Sequence, residues 1–522
     1  MKDAGKKIAI LGAGASGIAA ARLALAGGAA WVGVFDSGDP AKLDAAGQTL
    51  RAEGVETGFG EAALRAPGGL DLVVVSPGID TSWPIARSFA VGGAPMLGEI
   101  EFAWERWGGP VAAITGTNGK TTTTELTAAV LNGAGCRTVP AGNYGTAFSE
   151  VVLAGNPLDL VTLELSSFQL ETIVDFRPEI AVWMNFAPDH LDRYPDVGAY
   201  LAAKLRIFEN QTPDDFAVLN AAEIPEAALA ARPVTFSAFG AEGADFAFED
   251  GWILHRSERV LYFRECRLRG RHNAENAMAA MAVARCRGID FEAMRETIRG
   301  YAAPPHRCQW VGEVGGVTFV NDSKATNLHA LRSSLRGQEE PVVLIAGGKN
   351  KGLDFSELKS LAADTVTRAI AIGEIAEEIC RAWHGAVPCE TAATLDEAVA
   401  KALTAATLQI EQSCSARTPR FQPCSGSGAS RERGRRFTPN RRPWPPRTLS
   451  FLTQQRNTRA TKETQKSGAG ASLERLFARF QAARPHHRGR DWYLDTPDDA
   501  SDASPPSSSF SIRRRPRILA FR

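Results

Sequence analysis

Two glycines, a lysine and a threonine lie within six residues in Gly116-Thr117-Asn118-Gly119-Lys120-Thr121-Thr122, directly after the apolar run Val111–Thr115. A loop of this kind at a strand end lets backbone N–H groups wrap a polyphosphate. Lys120 can neutralise the terminal phosphate, and the Thr121 hydroxyl can ligate Mg²⁺. The spacing is not that of the common Walker loop, whose leading glycine would fall at Ile114. A second turn, Gly12-Ala13-Gly14-Ala15-Ser16-Gly17, follows Lys7–Leu11, and Asp36 closes the next apolar run. Glycines for a tight turn, a helix N-terminus facing phosphate and an acid for a ribose hydroxyl make a dinucleotide fingerprint. Taken alone, this turn is compatible with a nicotinamide-dependent oxidoreductase.

Other residues carry chemistry only in company. Glu164 ends the apolar run Leu160–Leu165, where a carboxylate could ligate a hard cation or cap a helix at Ser166 or Ser167. Lys204 reads as a surface lysine on an amphipathic helix, and Asn273 as a helix cap in His272-Asn273-Ala274-Glu275-Asn276. Arg307 follows a proline pair and could bind spreading phosphate charge; Asp322 could be a turn residue.

The combination of segments is more specific than any one of them. The shortened lysine loop resembles the ATP loop of the Mur ligases and of folylpolyglutamate synthetase. Gly142-Asn143-Tyr144-Gly145, the Glu164–Glu171 segment, Asp189-His190-Leu191-Asp192-Arg193-Tyr194 and Asn321-Asp322-Ser323-Lys324-Ala325-Thr326-Asn327 resemble the D-glutamate-adding Mur ligases, in the right order over about residues 5–408. The resemblance implies a cytoplasmic enzyme of peptidoglycan synthesis, acting as a monomer without nucleic acid or membrane. It would join D-glutamate to UDP-N-acetylmuramoyl-L-alanine through an acyl phosphate, with ATP and Mg²⁺. It implies that Gly116, Thr117, Asn118, Gly119, Lys120, Thr121 and Thr122 hold ATP together with Asn276, Arg307 and Asp322, and that Lys324 is a further cation. Thr121 and Glu164 would hold one Mg²⁺; His190 and a carbamylated Lys204 would hold a second. Ala15, Ser16, Asp36, Ser37, Ser76 and Gly78 would face uridine diphosphate. Asn143 would face the same substrate, and Thr326 and Lys351 the D-glutamate. The runner-up readings are a ligase of the same group with another amino acid, the oxidoreductase, and a ligase body inactivated by its altered carboxyl end.

The elements that must position these residues alternate strand with helix, which implies an α/β class with parallel sheets. Strands are expected at Lys7–Leu11, Trp31–Phe35, Leu72–Val75, Val111–Thr115, Leu160–Leu165, Ile180–Asn185, Val342–Ala346 and Arg368–Ile372. Three short strands between 245 and 271 suggest a small β insert before an Ala-rich helix at Ala274–Arg285. Three units follow: a Rossmann-like domain at 1–100, a phosphate-loop domain at 101–303 and an incomplete Rossmann-like domain at 304–410.

Residues 411–522 match nothing in the resemblance. Acidic side chains outnumber basic ones up to residue 408, and the reverse holds beyond it. No valine follows Val399, and Arg, Ser and Pro dominate from Ser413. This composition is expected of a disordered tail, of a shifted frame in a GC-rich gene or, less simply, of a basic nucleic-acid arm. The eight scattered cysteines show no CxxC pair and read as reduced thiols. No apolar run approaches the ~20 residues of a membrane span.

Overall fold

The computed structural model describes residues 2–415 and 517–521, except 192, 225–228, 304–305, 315–316, 326, 339–341 and 351. Three sheets organise them.

The first sheet contains β1 (Lys7–Leu11), β2 (Trp31–Asp36), β3 (Glu56–Phe59), β4 (Leu72–Val75) and β5 (Met96–Gly98), in the order β3-β2-β1-β4-β5. All pairings are parallel. β1 and β4 are near-continuous apolar runs because helices cover both faces. The strand order reverses between β1 and β4, which opens a crevice at their carboxyl ends, directly over the first glycine turn.

The second sheet has nine strands: β6 (Val111–Thr115), β7 (Pro140–Gly142), β8 (Val161–Glu164), β9 (Ile180–Trp183), β10 (Phe216–Asn220), β11 (Arg232–Ser237), β12 (Phe246–Glu249), β13 (Trp252–His255) and β14 (Glu258–Tyr262). Their order is β14-β13-β12-β11-β10-β9-β6-β8-β7. The expected β insert exists as β12–β14 and extends the main sheet: β12 joins β11 in parallel, and β13 and β14 add to it antiparallel. The Ala-rich helix starts earlier than expected, at Arg271, and runs to Cys286. Its N-cap is Gly270, not Asn273, whose side chain instead donates to the Arg269 carbonyl at 2.8 Å. Small alanines let this helix lie close against the sheet, where it is buried almost throughout. The helix Glu99–Trp107 buries Ile100, Phe102 and Ala103 in a core shared by the first and second sheets.

The third sheet contains β15 (Gln309–Val314), β16 (Val317–Asp322), β17 (Val342–Gly348), β18 (Val366–Gly373), β19 (Cys389–Ala392) and β20 (Arg517–Phe521), in the order β15-β16-β20-β17-β18-β19. β20 corrects the expectation for the tail. Five residues from the far carboxyl end lie between β16 and β17, parallel to both. Ile518, Leu519 and Ala520 are 1%, 1% and 6% exposed, so this short apolar run fills a central position. Of the rest of the expected tail, 416–516 and 522 lie outside the described residues, while 411–415 continue the helix Leu395–Ser415.

The thiol reading is also corrected at one place. Cys380, on the helix Ala376–Ala382, and Cys389, opening β19, form a disulfide with Cα atoms 5.2 Å apart. The helix packs on β18 and β19, so a short return brings its end beside the start of the strand. Cys136, Cys266, Cys286 and Cys308 are free. Among the described residues no helix is long and apolar enough to cross a membrane.

Candidate active site

The first glycine turn leaves β1 with a sharp bend. Gly12 has φ +99, and a Cβ there would meet Ser76 Cβ at 2.9 Å; one on Gly17 would meet the Gly12 carbonyl oxygen at 1.9 Å. Both positions must therefore be glycine for helix Ala15–Ala26 to approach the strand. The Asp36 carboxylate accepts from the backbone N–H of Ala13 and of Gly38, both at 2.8 Å, so it ties this turn to the end of β2. The result is an open cavity of about 530 Å³. It gathers Ala15, Ser16, Asp36, Ser37, Ser76 and Gly78 with Asn143 of the second domain, every residue expected there. Trp83 and Gln169 also line it. Trp83 stands in no signature, and Gln169, though inside the Glu164–Glu171 segment, carried no predicted role.

The second loop joins β6 to the helix Lys120–Gly133. Gly119 has φ +83, and a Cβ there would strike Asn276 Oδ1 at 2.6 Å. The loop is held from below by Asn185, whose Oδ1 accepts from the Asn118 N–H at 2.8 Å and whose Nδ2 donates to the Asn118 carbonyl at 3.1 Å. Thr117 exchanges bonds with Ala187: its hydroxyl donates to the Ala187 carbonyl at 3.1 Å and accepts from the Ala187 N–H at 3.0 Å. Lys120 folds back, donating to the carbonyls of Gly116 and Thr117 at 3.0 Å each. Burial lowers its pKa, against the opposing field of Glu164.

Glu164 ends β8 with one oxygen accepting from Asn143 Nδ2 at 2.8 Å. Its other oxygen is buried with no hydrogen-bond partner. It does not cap the following helix: Ser166 does so, in a capping box with Gln169. A buried, unpartnered carboxylate oxygen is a ligand position for a hard cation. Among the described residues no three His, Cys, Asp or Glu side chains converge on one point.

Lys204 is the largest departure from its local reading as a surface lysine. Asp196 caps the helix Val197–Leu205 through the Ala199 N–H at 2.8 Å, and Lys204, in its last turn, points inward. It is 1% exposed and donates to the Gly116 carbonyl at 2.8 Å. Burial first, then Lys120, push its pKa well below the lysine range. His190 adopts φ +56 and packs its ring on Phe168, centroids 4.9 Å apart.

The third domain closes over the loop. Arg307 Nη2 donates to Thr121 Oγ1 at 2.8 Å, and Asn118 Nδ2 meets His329 Nδ1 at 2.8 Å. Asp322 accepts from the Cys308 N–H at 3.0 Å, and burial raises its carboxyl to about 6. Asn118, Gly119, Thr122, Asn276, Arg307, Asp322 and Lys324 line one cavity of about 180 Å³ between the domains. Asn220, Phe239, His272, Glu275 and His329 also line it, from β10, the start of the Ala-rich helix and the third domain. His272 and Glu275 stand in the segment singled out around Asn276, whereas Asn220, Phe239 and His329 carry no local signature and converge only through packing. Thr326 and Lys351, expected at the amino-acid site, lie outside the described residues.

Residues 114–284 match the Mur ligase middle domain, and residues 306–409 the glutamate ligase domain of Mur ligases. The UDP-N-acetylmuramoylalanine–D-glutamate ligase of Pelotomaculum thermopropionicum is 40% identical over 386 residues, 72% of this chain and 84% of that protein. That of Salinibacter ruber is 40% identical over 417 residues, covering 76% and 90%. A pseudomurein peptide ligase type C from Methanothermus fervidus shares the fold, with a TM-score of 0.50 at 17% identity, covering 76% of this chain and 94% of its own. At 40% identity over more than two thirds of each chain, the chain belongs to the UDP-N-acetylmuramoylalanine–D-glutamate ligases of the Mur ligase family.

Proposed function

We propose that this chain adds D-glutamate to the carboxylate of UDP-N-acetylmuramoyl-L-alanine, using ATP. One observation carries the reading of the site: Asn143 lines the first-domain cavity and hydrogen-bonds Glu164, whose charge acts on Lys120 of the second loop. A substrate with its diphosphate at the first glycine turn would thus present its far end to the ATP phosphates.

A carboxylate is a poor electrophile. Its oxygen attacks the γ-phosphorus, ADP leaves, and the acyl phosphate then accepts the amine, with phosphate departing on the C–O electrons. This chain's part is to hold the reactants in line and to screen charge. Lys120 and Arg307 flank the phosphates from two domains, and Asn276 and Asp322 fix the nucleotide side. Lys324 adds positive charge at the same cavity. Mg²⁺, when bound, screens the phosphate oxygens; Thr121 and Glu164 would hold it. We read His190 and Lys204 as the second metal position, with Lys204 carbamylated. A buried amine of lowered pKa keeps its lone pair for attack on CO₂, and the resulting carbamate would replace a buried cation by an oxygen donor. D-glutamate falls to the third domain, with Thr326 and Lys351 as its contacts. The enzyme is taken to work as a cytoplasmic monomer.

The test is phosphate release from ATP and Mg²⁺ with UDP-N-acetylmuramoyl-L-alanine and one amino acid at a time. Release with D-glutamate alone is expected. Release with L-alanine or a diamino acid instead would overturn the specificity. No release with any of them would leave a nucleotide-binding remnant.

A further inference from the structure

The loop between β9 and the helix Val197–Leu205 touches all three domains. Ala187 is bonded to Thr117 of the phosphate loop. Asp189 accepts from Asn327 Nδ2 of the third domain at 3.1 Å. Arg193 reaches the first domain: Nη1 donates to the Pro77 carbonyl at 3.4 Å, and Nε faces Asp80 at 3.5 Å. Its remaining nitrogen donates to Glu171 at 2.8 Å, and its Cζ lies 3.9 Å over the Phe168 ring. The same ring packs on His190, whose carbonyl accepts the N–H groups of Arg193 and Tyr194.

Pro77 lies in the turn that lines the uridine-side cavity. A planar guanidinium that spans a carbonyl and two carboxylates, sandwiched on an aromatic face, has one geometry available to it. Arg193 therefore links the Pro77 turn to the loop that carries His190 and braces Thr117. We propose that Arg193 is a positioning residue that couples occupation of the UDP-substrate cavity to ordering of residues 186–191, 193 and 194 beside the phosphate loop. This rests on the ligase reading.

The experiment is hydrogen exchange of the 186–194 amides with and without UDP-N-acetylmuramoyl-L-alanine, in the wild type, Arg193→Lys and Asp80→Asn. In the wild type the substrate is expected to slow exchange of this segment. In both variants that slowing should be lost while the compound still binds. Steady-state kinetics should show KM for the UDP substrate raised about five- to tenfold, with KM for ATP unchanged. Asp80→Asn approaches the contact from the first domain, so a folding defect of Arg193→Lys cannot imitate the result. Equal protection of the segment in all three proteins overturns the proposal, as does binding to the wild type with no change in exchange. Failure of the wild type to bind the compound overturns the ligase reading along with it.

Discussion

Lys120 and Lys204 both direct their ammonium groups at the Gly116 carbonyl, at 3.0 and 2.8 Å. Two buried cations on one oxygen repel each other, and each lowers its cost by losing a proton, binding an anion or being converted to one. The carbamylation of Lys204 proposed above would resolve the conflict locally. Under ¹³CO₂ the wild type should show a carbamate carbonyl resonance that Lys204→Arg lacks; its absence from the wild type would refute the modification. Glu275 presents a second buried charge, raised by burial to about 7. The folded protein keeps a proton between roughly pH 4.5 and 7 that the unfolded chain has released. Stability therefore falls as pH rises through that window and stays lower above it. Glu275→Gln should be near neutral at pH 4.5 and stabilising by about 3 kcal/mol at pH 8, measured by urea unfolding at both values.

β20 occupies an inner position of the third sheet. It fills the gap between β16, which ends in Asp322, and β17, which ends in Gly347-Gly348. Leu519→Asp would place a charge in the core at a cost of several kcal/mol. The expected outcome is loss of D-glutamate-dependent phosphate release with retained binding of the UDP substrate to the first domain. Unchanged release would show that the strand is dispensable. Arg517–Phe521 gave little signal as a sequence: five residues after a long Arg- and Ser-rich stretch have no periodicity to measure. Its place was set by the unpaired edges of β16 and β17, which strand order alone reveals.

At the scale of the whole molecule, the cavity lined by Asn118, Asn276 and Arg307 exists only because the third domain reaches the second. Arg307 and His329 touch Thr121 and Asn118 across that boundary. Arg307→Ala should lower kcat about 10²- to 10³-fold, the scale of one lost charge stabiliser. KM for the UDP substrate, bound at the other boundary, should hold. A matching rise in that KM would place Arg307's effect in overall domain arrangement instead.

The two phosphate loops were legible because their chemistry is local. A strand end, glycines of positive φ and a helix N-terminus lie within a dozen residues, so spacing alone specifies the turn. Strand and helix alternation was legible for the same reason, as periodicity is a short-range property. Tertiary structure decided what depends on surroundings. Lys204 and a surface lysine have the same helical neighbours in sequence, and only packing against the phosphate loop buries it. The raised carboxyl of Asp322, the Cys380–Cys389 bond, the place of β20 and the reach of Arg193 are likewise set by segments distant in the chain. Burial and distance act through space, and the sequence by itself records only contact along the backbone.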